Sequence, residues 1–157
     1  MEITFAPKGI LQINGAIITH RNFAGEANDY NREGDRNFSL VIPNVETYER
    51  LVAEGWPCKY REPKEEGDTP FMFLPVKIKF NDYGPTVILV SGENRIQLDE
   101  NSVHRIDRID ILNVDLDIRP YDWTWNKKSG RTAYLQGMEV TQKLDRFATR
   151  MMPEDNY

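Results

Sequence analysis

The chain has 157 residues and a net charge of −5, which suits one domain with a proper core and argues against simple affinity for duplex DNA. No apolar stretch approaches the length of a membrane span, and the start of the chain lacks the basic and apolar runs of a signal peptide. With Cys58 as the only cysteine there is no disulfide framework and no thiolate metal cluster, so a cytoplasmic location is expected.

In chain order the sequence reads mostly as strands. Residues 9–23 form a long β-type run with Gly15 in the middle, where a glycine permits a bend or bulge. A polar loop follows over 24–35. Residues 36–42 alternate, with Phe38, Leu40 and Ile42 on one face. The clearest helix is 44–54: Asn44 is a good N-cap, Tyr48, Leu51 and Val52 share a face, and Gly55 stops it. Residues 56–61 return to strand, with Trp56, Cys58 and Tyr60 alternating with Lys59 and Arg61. This puts Cys58 on the core side, inert rather than nucleophilic.

After a charged loop at 62–70 comes a strand over 71–80. Met72, Leu74, Val76, Ile78 and Phe80 share one side, and Phe71, Phe73, Lys77 and Lys79 the other. Its outer face thus mixes aromatics with cations. The turn 81–84 is expected to join it in a hairpin to 86–91. One helical turn is expected within 98–105, a long hairpin over 109–125 and 131–141, and a short helical turn over 144–150. Residues 1–150 then make one domain, and 151–157 a short, acidic, flexible tail.

The long hairpin carries the most informative pattern. Leu112, Val114, Leu116 and Ile118 alternate with Asn113, Asp115, Asp117 and Arg119, the mark of a half-buried strand. Tyr121, Trp123 and Trp125 continue the polar, outward parity. Lys127, Lys128 and Arg131 then fall at the tip. Bases stack on exposed rings and phosphates pair with nearby cations, so this combination points to single-stranded nucleic acid. Pro120 is the alternative's foothold: a bulge there would flip the parity and bury the rings. Charge is also uneven. From Arg119 to Arg150 there are seven basic and three acidic residues, a surplus of four on an acidic chain.

Several short strands with one helix suggest a small β-barrel, since closure removes exposed edges. The oligonucleotide-binding (OB) barrel fits best, with a β-sandwich as the alternative. Asp115 and Asp117 place two carboxylates on one strand face, where a metal-dependent nuclease could hold Mg²⁺. Such pairs on an outer face are usually just solvated. His20 and His104 are isolated in sequence, and neither a phosphate-binding loop nor a Gly-x-Ser-x-Gly elbow occurs. No cofactor is therefore expected.

The strings Tyr30-Asn31-Arg32-Glu33-Gly34-Asp35-Arg36-Asn37-Phe38 and Asp117-Ile118-Arg119-Pro120-Tyr121-Asp122-Trp123 resemble those of small proteins from phages and integrative elements of Gram-positive bacteria. In size and layout the chain is similar to phage single-stranded DNA-binding proteins with an OB barrel and an acidic, aromatic-ended tail. The resemblance implies non-catalytic coating of single strands in replication or recombination. The face argument, not the resemblance, gives the expected site: Tyr121, Trp123, Trp125 and Phe73 for stacking, and Lys77, Lys79, Lys127, Lys128 and Arg131 for phosphates. Glu154, Asp155 and Tyr157 in the tail are expected to compete with DNA for the basic groove or to recruit replication or recombination proteins. The competing class is a small β-domain that binds another protein through the same aromatic and arginine anchors.

Overall fold

Two fifteen-residue strands organise the chain in the computed structural model, which describes residues 1–147. In chain order the strands are β1 (Glu2–Phe5), β2 (Leu11–Asn14), β3 (Ile18–Asn22), β4 (Arg36–Val41), β5 (Lys59–Arg61), β6 (Phe71–Ile78), β7 (Thr86–Ser91), β8 (Asn94–Leu98), β9 (Ile111–Trp125) and β10 (Lys128–Gln142). One helix, α1 (Val45–Ala53), lies between β4 and β5. The Asn44 side chain caps it by accepting from Thr47 N at 2.8 Å, and Gly55 at φ +96° ends it. Leu51 is its buried anchor.

The sheet runs β1-β2-β9-β10-β6-β4-β3, with β5 added to β6 and β7–β8 added to β10. The architecture is mainly β and OB-like, but the sheet is open and does not close into a barrel. The reason lies in β10. One edge pairs antiparallel with β9, while the other is shared in parallel by β6 at Tyr134 and β7 at 137–141. The sheet therefore branches at β10, and among the described residues β1, β3, β5 and β8 each pair with a single strand. The inward side chains form one core, with Leu11, Phe38, Leu74, Val114, Ile118 and Val140 nearly or fully excluded from solvent.

Several expectations change. The run 9–23 is two strands, split at Gly15, whose φ of +66° suits glycine. The strand at 56–61 shrinks to Lys59–Arg61, because Pro57 has no N–H to give a ladder. The turn at 81–84 does not join a hairpin: β6 pairs with β4, β5 and β10, whereas β7 pairs with β10 and β8. The expected helical turn near 98–105 lies at Val103–Arg108. Leu112 is exposed rather than core. The register steps from Asn113↔Thr141 to Ile111↔Gln142, so Leu112 is unopposed and Ile111 takes the inward place. Residues 144–147 are not helical; the rest of the expected turn at 144–150, and the tail with Glu154, Asp155 and Tyr157, lie outside the described residues.

Candidate nucleic-acid interface

The β9–β10 arm turns on two residues, Asn126 and Lys127, at φ +48° and +65°. Two left-handed residues in succession match the twist of the flanking strands, as in the favoured two-residue hairpin turn. The arm is thus longer than expected, with β10 beginning at Lys128 rather than Arg131. Pro120 sits opposite Ala133 with the register unbroken, so parity holds through to Trp125. Tyr121, Trp123 and Trp125 are 53%, 39% and 72% exposed. Trp123 faces Gly130 across the ladder, and a Cβ at Gly130 would lie only 2.5 Å from Trp123 Cζ2. The indole therefore covers a bare strand position.

Residues paired across a ladder share a face. Tyr121 pairs with Thr132, Tyr134 with both Arg119 and Lys77, and Lys77 with Asn37. Phe73 and Phe71 follow on the same side of β6, opposite Lys59 and Arg61 of β5. The sheet's outer face is thus one surface of rings and cations. Tyr121 meets Tyr134 edge to face at 6.1 Å, and the Arg119 guanidinium lies 4.8 Å over the Tyr134 ring. Phe71 stacks on Phe73 at 4.9 Å, with Arg61 over Phe73 at 5.4 Å.

The residues expected from sequence divide. Lys127 and Lys128 are exposed at the arm's tip, Lys77 on the outer face, and Lys79 just beyond β6. Phe73 lies on this face but is 6% exposed, because Phe71 and Arg61 cover it; Phe71 is the more accessible ring of the pair. Arg131 is not at the tip. It lies on the arm's other face, where its Nε and Nη2 donate to the two Asp122 oxygens at 2.6 and 3.2 Å. Its Nη1 donates to the Glu54 carbonyl at 2.7 Å, and the guanidinium lies 5.0 Å over the Trp56 ring. These bonds clasp the arm to the end of α1. Asp122 is held below the usual carboxylate range by its hydrogen bond with Arg131, and Arg131 is raised in turn.

Two grooves border the outer face. The larger, about 1470 Å³, takes in His20, Tyr30, Arg61, Phe71, Phe73 and Arg108. The smaller, about 700 Å³, takes in Lys79, Tyr83, Asp117 and Arg119. His20 and His104, far apart in sequence, both line the larger groove, with His20 edge-on to Phe71 at 5.9 Å. Sequence reasoning placed Arg119 on the outward face without giving it a contact, and missed Arg61 and Tyr134 as members of this surface. The strand alternation at 56–61 held the signal for Arg61, but nothing local announced that β10 would lie beside β6. Asp115 is occupied, accepting from Gly15 N at 3.0 Å and Asn113 Nδ2 at 3.1 Å. Burial raises the Asp117 carboxyl. Among the described residues no three His, Cys, Asp or Glu side chains converge as a metal site, and no helix is long and apolar enough to cross a membrane.

Comparison with solved structures gives the same fold in two forms of one phage protein. The single-stranded DNA-binding protein from bacteriophage Enc34 in complex with ssDNA superposes with a TM-score of 0.57 at 13% identity, over 92% of this chain and 93% of that one. A second structure of the single-stranded DNA-binding protein from bacteriophage Enc34 gives 0.56 at 12% identity, over 100% and 99%. No curated protein matches the chain in sequence. The model of the family described as "Putative phage ssDNA-binding domain" matches residues 3–154. That match spans nearly the whole chain, and the chain belongs to this family of phage ssDNA-binding domains.

Proposed function

We propose that the protein binds single-stranded DNA along the outer sheet face and the β9–β10 arm. Tyr121, Trp123 and Trp125 stack on bases; Lys77, Lys79, Lys127 and Lys128 hold phosphates. Phe71 and Phe73 form an aromatic floor beside them. The carrying observation is the row of three exposed rings on a clasped hairpin. Arg131, committed to Asp122 and Glu54, supports the arm rather than the DNA. Membership of the family supports this reading, and the Enc34 neighbour is itself described in complex with ssDNA.

On this reading the protein is not an enzyme. It coats single strands during phage or mobile-element replication or recombination in the host cytoplasm, and Glu154, Asp155 and Tyr157 compete with DNA for the basic surface or recruit a partner. The test is anisotropy with labelled single- and double-stranded oligonucleotides, with and without Mg²⁺. Trp123→Ala and Trp125→Ala should each weaken single-strand binding by about 1–3 kcal/mol, the loss of one stacked base, with melting little changed. Normal affinity in variants that melt early would make the rings structural; cleavage with Mg²⁺ would restore the nuclease reading.

A further inference from the structure

Two turns far apart in the chain are built alike. In Asn28-Asp29-Tyr30-Asn31, Asn28 N donates to Asn31 O at 2.9 Å, Asn31 N to Asn28 O at 3.2 Å, and Tyr30 N to Asn28 Oδ1 at 2.8 Å. In Asn81-Asp82-Tyr83-Gly84, Asn81 N donates to Gly84 O at 2.9 Å, Gly84 N to Asn81 O at 3.2 Å, and Tyr83 N to Asn81 Oδ1 at 2.8 Å. Each turn holds up a tyrosine that is 98% exposed. A ring so exposed gains nothing from folding, while the backbone beneath it is fixed by three hydrogen bonds. A stiff aromatic offered this way loses little conformational freedom on contact.

The two turns also stand at one end of the sheet. The loop carrying Tyr30 leads into β4 at Arg36, the turn carrying Tyr83 follows β6 beyond Ile78, and Arg36 pairs with Ile78. The Arg36 guanidinium lies 5.8 Å over Phe80, next to the second turn. β10 runs parallel to β6 with Tyr134 beside Lys77, so the arm's tip points toward the opposite end. Each tyrosine borders its own groove, Tyr30 with Arg61, Lys64 and Arg108, and Tyr83 with Lys79 and Arg119. The aspartate beside each ring repels phosphate, which turns a base rather than the backbone toward the tyrosine.

We propose that Tyr30 and Tyr83 are a matched pair of base-stacking pins, which hold a single strand where it leaves the outer face at the end opposite the aromatic arm. This rests on the reading of the chain as a single-strand binder. The pins add length to the site rather than strength at the arm. The test compares oligonucleotides of about 4 and about 16 nucleotides, the range one OB domain covers, on wild type, Tyr30→Ala/Tyr83→Ala, Tyr30→Phe/Tyr83→Phe and Trp123→Ala. The double alanine variant should lose at least about five-fold in affinity for the long strand and keep wild-type affinity for the short one. The double phenylalanine variant should bind as wild type, and thermal melting should not move. Wild-type affinity of the alanine variant for the long strand, with Trp123→Ala impaired, overturns the pins but leaves the function standing. Equal loss on both lengths also overturns the proposal. Failure of the wild type to bind either length overturns the function itself.

Discussion

Replacing Gly130 by alanine tests whether the position of the Trp123 ring, and not merely its presence, matters. The added methyl would lie 2.5 Å from Cζ2, 2.9 Å from Cε2 and 3.1 Å from Cη2 of Trp123. The shortest of these is roughly 1 Å inside ordinary carbon–carbon contact. The ring is 39% exposed, so it can swing away instead of forcing the strands apart. Gly130 carries no positive φ, and losing the flexibility of an unfolded glycine returns about 0.4–1 kcal/mol. That offsets part of the lost ring-on-backbone packing, so melting should change little. Binding should fall by up to one stacked base, about 1–3 kcal/mol or roughly five- to 150-fold in Kd. Tryptophan emission reports the displacement, and oligonucleotide anisotropy reports affinity. If emission shifts while affinity stays at the wild-type value, the arm's rings are not held in place for bases and the reasoning fails.

Single-strand affinity should fall with salt at about −0.7 per phosphate contact, and Lys127→Glu with Lys128→Glu should flatten the slope; an unchanged slope removes the arm's tip from the phosphate path. Arg131→Ala should cost about 1–3 kcal/mol in denaturant unfolding, from the lost bond to the Glu54 carbonyl and the contact with Trp56, and Arg131→Lys should not restore it, because an ammonium cannot reproduce the planar fork. The Asp122 carboxyl is depressed in the folded state by Arg131; its contribution is therefore full above the ordinary value of about 3.9 and disappears as pH falls through the lower folded value, so acid titration should narrow the stability gap between wild type and Arg131→Ala. The Cys58 thiol is pushed up to about 12 by burial, so iodoacetamide at neutral pH should label it only in denaturant; rapid labelling of the native protein would contradict that environment.

Local patterns were legible where local forces decide. Asn44 and Gly55 bracket the helix because a cap and a left-handed stop act within a few residues. The outward parity of Tyr121, Trp123 and Trp125 survived because Pro120 has no bulge beside it. The ladder's two irregularities fall elsewhere, at Gln136 of β10 and at Leu112 of β9, where nothing in composition marks them, and Leu112 faces solvent instead of the core. The partners of β7 were unreadable for another reason. A turn at 81–84 says that the chain reverses, but not that residue 86 will lie beside Gly137, fifty residues later. Arg131 shows the limit for the site. Its charge resembles that of Lys127 and Lys128, and only the two-residue turn, which sets it opposite Asp122, separates a cation paired within the arm from two that lie exposed at its tip.

The spacing of the rings has its own consequence for what can be read. Tyr121, Trp123 and Trp125 lie two residues apart on an extended strand, so the backbone positions that carry successive rings are about 6.7 Å apart. Bases in a duplex repeat every 3.4 Å along each strand, half that distance. A chain of nucleotides can match the row only by opening its own stack, so that base and ring alternate. Two-stranded ribbons also twist more than wide sheets, which fans the rings about the arm's axis instead of leaving them in line. A paired helix can meet neither demand without coming apart. If the arm is the binding site proposed above, the strand repeat itself is a ruler that suits unpaired, unstacked bases and not the double helix, without any residue that recognises a base by its edge.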